Sequence, residues 1–379
     1  MQRRQLLASV PALLTGTTAL AQDEAAVRFG DPRRTLAPVR ANPDRLIDME
    51  VCTRPFRAQG PRIEAQRLHG KHVVHHYGHG GSGWSLSWGS ARVALPLILE
   101  HKPKRIAVIG CGAIGLTTAR VAQDAGLKVR IYCKERPPEV ASSRATGIFT
   151  PDSRLVTTEH ATPEFAHRWE AMTRSSFRTY QSLLGLPAEP VQWRDGYVLW
   201  DDVPQGPSHE PGEPDYPDLY SRIRDLRPRS MPLQPHEHPF KAAHAMKITQ
   251  LVFNIGSYQR LLLDDFLRNG GEIVHREFTS TRELARLPEQ TIVNCTGYGA
   301  RALFGDDSLV PVRGQTARLI PQPEVDYLLF WRGHNLSMVP RGDGLLVQAQ
   351  GEHDFGNADA RVDRAQSVAA VERLAELFS

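Results

Sequence analysis

Arg105-Ile-Ala-Val-Ile-Gly110-Cys-Gly112-Ala-Ile-Gly115 is the stretch that decides the fold. The run Ile106 to Ile109 has the unbroken hydrophobicity of a strand buried on both faces. Gly110, Gly112 and Gly115 follow at once, and Leu116 to Ala125 then has helical spacing with Gly126 as its stop. Gly110 permits a tight turn, Gly112 lets a pyrophosphate approach the backbone, and Gly115 lets helix and strand pack closely. The helix start, at Ala113 and Ile114, offers free N–H groups and the positive end of a dipole to phosphates. Lys128 to Cys133 forms the next strand, and Glu135 lies 20 residues past Gly115, where an acid can hold ribose hydroxyls. Together these features read as a Rossmann-type dinucleotide unit. The pattern serves NAD and FAD alike.

Outward from this unit, Glu272–Phe278 and Thr291–Gly297 read as strands returning to the same sheet. Residues 152–244 hold many prolines, an amphipathic helix over Pro163–Leu184 and strands such as Gln192–Trp200, the make-up of an inserted substrate domain. A chain of 379 residues has room for two interleaved domains. With 41% apolar and 23% charged residues it is globular in composition. Its net charge is only +4 and its arginines are dispersed, which argues against a nucleic-acid partner.

The first residues read as a signal peptide over 1–21: Arg3-Arg4, an apolar run from Gln5 to Leu14, and Ala19-Leu20-Ala21 as the cleavage site. The run is too short to span a bilayer, so no stable membrane insertion is expected after cleavage. The paired arginines point to the twin-arginine route and a periplasmic, already folded product. Residues 22–45 read as a tether. Cys111, Cys133 and Cys295 each fall at a strand end within the nucleotide unit, and Cys52 has no evident partner, so free thiols are expected.

A second motif lies ahead of the first: Val73-Val-His-His-Tyr-Gly-His-Gly-Gly-Ser-Gly-Trp-Ser-Leu-Ser-Trp-Gly-Ser-Ala91. Its aliphatic pair, His75, His76, Tyr77, Gly78, Gly80, Gly81, Gly83, Gly89 and Ala91 resemble the motif of the D-amino-acid oxidase family. Arg54-Pro-Phe-Arg57, Pro61-Arg-Ile-Glu64, Val293-Asn-Cys-Thr-Gly-Tyr-Gly-Ala300 and Val312-Arg-Gly-Gln315 are similar in type and order, so the resemblance covers roughly residues 47–379.

The resemblance implies an α/β fold in which a Rossmann-type FAD-binding domain (46–151 and 245–310) interleaves with an α+β substrate domain (152–244 and 311–360). A helix in 361–379 would pack on the FAD-binding domain. It implies non-covalent FAD, a D-amino acid as substrate and dioxygen as acceptor, giving a 2-oxo acid, ammonia and hydrogen peroxide. Glycine, sarcosine or D-aspartate as substrate, a protein that binds FAD without catalysis, and a homodimer stay open. Arg54 and Gly81 are implied as the substrate-facing positions, with Arg54 pairing the carboxylate through parallel hydrogen bonds. Gly80, Gly81, Ser82, Gly83, Trp84 and Ser85 are implied to line the flavin. A backbone without side chains lets a planar ring approach, and its N–H groups can stabilise charge on the reduced ring. Lys134, Glu135, Ser142, Ser143, Gly147, Ile148 and Phe278 are implied as further cofactor contacts. His72, His75, His76 and His79 lack a carboxylate at ligand-like spacing and are implied to be structural, so no metal is expected.

Two departures stand out. The Arg-Pro and His-Tyr-Gly segments come before the Gly110 turn rather than last, the order expected of a circular permutation with His101-Lys-Pro-Lys104 as the new join. Where the family places tyrosines near the substrate, Asn335–Arg341 has none, and Ser337, Met338 and Trp331 stand there instead.

Overall fold

The structure, a computed structural model, describes residues 36–201, 212–349 and 353–378; the expected signal peptide (1–21) and residues 22–35 of the expected tether lie outside them. The chain opens with β1 (Leu46–Arg57), β2 (Arg62–Leu68), β3 (Lys71–Tyr77) and α1 (Gly83–Leu99). β4 (Arg105–Ile109), α2 (Ala113–Asp124) and β5 (Lys128–Cys133) then make the strand–helix–strand unit. Next come α3 (Pro163–Gln181), β6 (Val191–Trp200), β7 (Met231–Leu233), β8 (His244–Phe253) and α4 (Ile255–Arg268). β9 (Glu272–His275), β10 (Thr291–Asn294) and the short α5 (Ala300–Phe304) follow. β11 (Leu309–Leu319), β12 (Leu328–Trp331), β13 (Leu336–Arg341), β14 (Gly344–Ala349) and α6 (Arg364–Glu376) close the chain.

Two sheets result. The first runs β2-β3-β10-β4-β5-β9 and is parallel except for β2. Its inner strands β3, β10 and β4 are buried almost end to end, as the apolar run in β4 requires. One face packs on α1, α2 and α4 through Trp84, Trp88, Leu116 and Tyr258, and the other on Tyr132, Leu284 and Leu287. The second sheet runs β1-β11-β14-β13-β12-β6-β8-β7. α3 starts where Thr162 caps it, its hydroxyl accepting the Phe165 N–H, with Pro163 in the first turn. α3 packs against α1 so tightly that a β-carbon at Gly89 would stand 1.9 Å from the Met172 carbonyl oxygen.

The described residues from Ala37 onward form one compact unit, and the sheets cut it differently from the sequence expectation. β1, expected in the nucleotide domain with 46–151, pairs with β11 from Leu46↔Leu319 to Arg57↔Leu309 and so edges the second sheet. β8, placed by sequence at the head of 245–310, pairs with β6 over its whole length in that same sheet. α6, expected on the FAD-binding domain, packs on β11 and β14 instead, where Gln315 Nε2 donates to Ser367 Oγ at 2.8 Å. Residues 37–45 are not a tether either. Val39 is buried, Arg40 N–H donates to Gln322 Oε1 at 2.8 Å and Tyr327 Oη donates to Ala37 O at 2.6 Å. In each case pairing with chain far away in sequence, which local pattern does not reveal, outweighs the local boundary signal.

Candidate functional site

α2 begins at Ala113 without a side-chain cap from Gly112, so its first N–H groups, including those of Ile114 and Gly115, have no partner within the helix. The turn before it requires its glycines. Gly110 has φ 105°, and a β-carbon there would stand 2.5 Å from Cys295 O; one at Gly115 would stand 2.1 Å from Gly110 O. At Gly112 such a carbon would press on Ser142 Oγ at 3.2 Å, so this position too favours a residue without a side chain. A bare turn of this kind opening a helix is a cradle for a pyrophosphate, and it fits FAD.

The second glycine run makes a bend between β3 and α1. Gly80 takes φ 53°, its N–H donates to Pro55 O at 2.9 Å, and a β-carbon would stand 1.8 Å from Arg154 O. Gly81 N–H and Ser82 Oγ both donate to Ser153 O, at 3.0 and 2.9 Å. Gly83 opens α1 with nothing within 4 Å of its missing β-carbon. Ser85 Oγ accepts the Thr150 N–H at 2.8 Å, so in this structure the hydroxyl is engaged by the protein. Trp84 links the two turns: its Nε1 donates to Ser142 O at 2.8 Å, while Ser142 Oγ accepts the Ala113 N–H at 3.0 Å. One serine thus ties the bend near residue 80 to the cradle near residue 110.

Arg54 sits on β1 beside this bend, one residue before Pro55. Its Nη1 donates to Arg313 O at 2.9 Å, and the guanidinium lies over Gly314, where a β-carbon would come within 2.6 Å of Nη2. Burial pulls its pKa below the ordinary arginine value, and Arg154 acts in the same direction while Cys52, Asp354 and Glu213 oppose it. A guanidinium remains charged under any such shift. The site therefore holds a half-buried cation near the glycine bend, as carboxylate recognition requires.

The remaining expected contacts divide. Lys134 and Glu135 project from the end of β5 as exposed groups, with Lys134 Nζ 4.0 Å from Glu135 Oε1 and 3.8 Å from Glu277 Oε1. Phe278 packs edge-on to Tyr132, with the Arg276 guanidinium 4.7 Å from its ring centre. Ser143 differs from expectation. Its hydroxyl donates to Gln259 Oε1 at 2.8 Å and so faces α4, because that buried amide oxygen needs a donor. Gly147 and Ile148 serve the junction of the sheets. Gly147 O accepts the Phe253 N–H at 2.6 Å, and Ile148 bridges to Val252 and packs near Leu328 and Val339.

The histidines form a buried polar seam. His76 Nδ1 meets Thr118 Oγ1 at 2.9 Å, His79 Nε2 meets Ser90 Oγ at 2.6 Å and His75 Nδ1 meets Asn294 Nδ2 at 3.1 Å. Burial lowers all three pKa values, to about 4 for His75 and about 3 for His79, so each is neutral at pH 7. His72 Nε2 meets Leu97 O at 2.8 Å, and its ligand-capable atoms gather with those of Glu100 and His101 within 4.8 Å of one another.

Three side chains near the site escaped the sequence. Arg154 stands behind Gly80 at φ 47° and pairs with the buried Glu213, Nε to Oε1 at 2.6 Å. Tyr216 lies edge-on to Phe56, two residues beyond Arg54 in the chain, and burial raises its pKa. No motif marks these positions. Met338 and Trp331, where tyrosines were expected, are buried in the second sheet, Trp331 Nε1 donating to Asp201 Oδ2 at 3.1 Å.

Comparison with known proteins gives consistent results. A family model described as FAD dependent oxidoreductase (DAO) matches residues 105–379. A D-amino-acid oxidase of Rubrobacter xylanophilus is 29% identical over 215 residues, which span 57% of this chain and 59% of that protein. The D-amino-acid oxidase of Schizosaccharomyces pombe is 26% identical over 74% of this chain and 78% of its own length. In fold, the chain is similar to iminodiacetate oxidase from Chelativorans sp. BNC1, with a TM-score of 0.51, 16% identity and coverage of 71% of this chain and 77% of that one.

Proposed function

Because the chain belongs to the FAD dependent oxidoreductase (DAO) family, and is therefore an FAD-dependent oxidoreductase, we propose that it oxidises a D-amino acid. FAD, when bound, would supply the two-electron acceptor for the hydride of the substrate Cα, with dioxygen as final acceptor and hydrogen peroxide as its product. The imino acid left behind hydrolyses to a 2-oxo acid and ammonia.

The chain's own residues bind and orient. Arg54 holds the substrate carboxylate by two parallel hydrogen bonds and so fixes Cα. Gly80 and Gly81 let the bend close on Arg154 and Ser153, while Gly83 leaves open space for the flavin ring and the N–H groups of the first turn of α1 face developing negative charge. Gly110, Gly112 and the first turn of α2 hold the pyrophosphate. No side chain has to take a proton from Cα, since the amine reacts as the free base. The observation that carries this reading is the half-buried Arg54 cation, seated over Gly314 and one residue from the Pro55 carbonyl that receives the Gly80 N–H.

The test is a spectrum of the purified protein before and after anaerobic addition of mixed D-amino acids, then after admission of air. Bleaching near 450 nm (roughly the flavin band) that returns with oxygen supports the proposal. Bleaching only by glycine, sarcosine or D-aspartate would narrow the substrate, and a flavin that no amine reduces would replace the enzyme by an FAD-binding protein.

The order of elements also supports a permuted chain. α6 packs against Pro43–Arg45, just ahead of β1, so the last described helix lies beside the start of the first strand. A permuted chain would bring Ser379 close to Leu46; Ser379 is outside the described residues. A gene that opens the chain within 101–104 and joins residue 379 to residue 37 should give a folded, FAD-binding protein; failure to fold would count against permutation. We also place the enzyme in the periplasm by the twin-arginine route, which cell fractionation with an inactive twin-arginine system tests.

A further inference from the structure

Two cysteines lie directly beneath the cradle. Cys111 is the residue between Gly110 and Gly112, and Cys133 is the last residue of β5. β4 and β5 pair in parallel up to Ile109↔Tyr132, and Gly110 N–H extends the ladder by donating to Tyr132 O at 2.8 Å. The register puts Gly110 opposite Cys133, so Cys111 is the next residue past that pair, and both thiols lie in one buried cluster at the ends of neighbouring strands. Both are free thiols, 2% and 6% exposed, in one buried cluster. The side chains meet: a hydrogen bond from Cys111 lowers the Cys133 pKa, with Arg136 acting in the same direction and burial opposing, while the Cys111 pKa is raised by the same bond and by burial, so Cys133 is the thiolate of the pair. Cys52 and Cys295 are buried too; burial raises the Cys295 pKa, and its Sγ lies 3.8 Å from Thr118 Oγ1.

We propose that Cys111 and Cys133 form a peroxide-sensitive dithiol whose closure to a disulfide reshapes the cradle and weakens FAD binding. The chemistry balances with one peroxide. Cys133 thiolate attacks peroxide, the O–O bond breaks, and sulfenic acid and one water result. Cys111 then attacks that sulfur, the S–S bond forms as the S–O bond breaks, and the second water leaves. Two electrons pass from the sulfurs to the peroxide. The cradle has no slack to absorb this closure, since Gly110 is pressed against Cys295 O and Gly115 against Gly110 O. Drawing Cys111 towards β5 therefore moves Gly110 and Gly112, and by linkage bound FAD protects the pair from oxidation. The source of peroxide rests on the oxidase reading above; the reactivity of the pair does not.

Added peroxide tests the pair without any substrate. The full-length chain, with and without FAD, is treated with hydrogen peroxide, alkylated in denaturant and mapped by peptide mass spectrometry. FAD affinity is read from quenching of flavin fluorescence. The expected results are a Cys111–Cys133 disulfide that forms at least about tenfold more slowly with FAD, and an FAD affinity at least about tenfold lower once it forms, restored by dithiothreitol. Cys133→Ala should bind FAD equally well before and after peroxide. Either thiol emerging alkylated or over-oxidised without the cross-link overturns the proposal, as does a cross-linked chain that binds FAD as tightly as the reduced one.

Discussion

Arg54 lies across the bare backbone of Gly314: a β-carbon at position 314 would stand 2.6 Å from Arg54 Nη2. β1 and β11 pair at Arg54↔Val312 and Cys52↔Gly314, so this glycine makes the space in which the guanidinium rests. Its absence of a side chain is as much a part of the proposed carboxylate anchor as the arginine itself.

Arg54→Ala should raise KM for the substrate by roughly two orders of magnitude, equivalent to about 3 kcal/mol, and lower kcat as well. FAD should stay bound, because none of the cradle contacts involves this side chain. Steady-state kinetics together with the flavin spectrum of the purified variant check both parts.

Gly314→Ala should reproduce much of that defect from the neighbouring strand. The guanidinium has to shift while its charge remains, so KM should rise by about tenfold or more with cofactor content unchanged. A variant with normal KM would show that Arg54 can hold its ligand from another position.

Gly80→Ala places a β-carbon 1.8 Å from Arg154 O at a φ of 53°. The bend must then open, and FAD affinity should fall by about tenfold or more, an effect of about 1.4 kcal/mol or greater. Gly256→Ala, in the first turn of α4, is the control, since its β-carbon meets nothing within 4 Å. Flavin titration of the two variants should separate them.

Trp84→Phe leaves Ser142 O without its indole donor at a partly buried position. Loss of that bond should cost about 1–3 kcal/mol and loosen the link between bend and cradle. A lower melting temperature that added FAD only partly restores is the expected observation.

Acid should destabilise the protein in a defined window. His75, His76 and His79 have folded pKa values below their ordinary value, about 4 for His75 and about 3 for His79, mainly through burial. Around His75 stand Arg62 and Arg57, which lower its pKa further, and Glu64 and Asp306, which oppose them; His76 also feels His79. The unfolded chain binds protons first, so this stability is complete above about pH 6.5 and declines as pH falls towards 4 and 3, by up to about 1.4 kcal/mol per pH unit per group. Chemical denaturation across pH 4–7 should show the slope, and His75→Asn should reduce it.

The sequence by itself determined the dinucleotide unit. β4, β5 and the three glycines that open α2 are adjacent in the chain, and their spacing expresses local sterics: a buried strand, a turn that only glycine permits and a free helix start. Arg54 and the Gly80 bend were legible in the same way, through short motifs. Only the tertiary structure decided which sheet claims β1, β8 and α6, that Ser143 turns to Gln259, and that Arg154, Glu213 and Tyr216 stand near the site. Those outcomes depend on pairings such as Arg54 with Arg313, 259 residues apart, where register and burial are set jointly by both partners. No local spacing carries that information, because each strand's pattern shows that it must be covered and not by what.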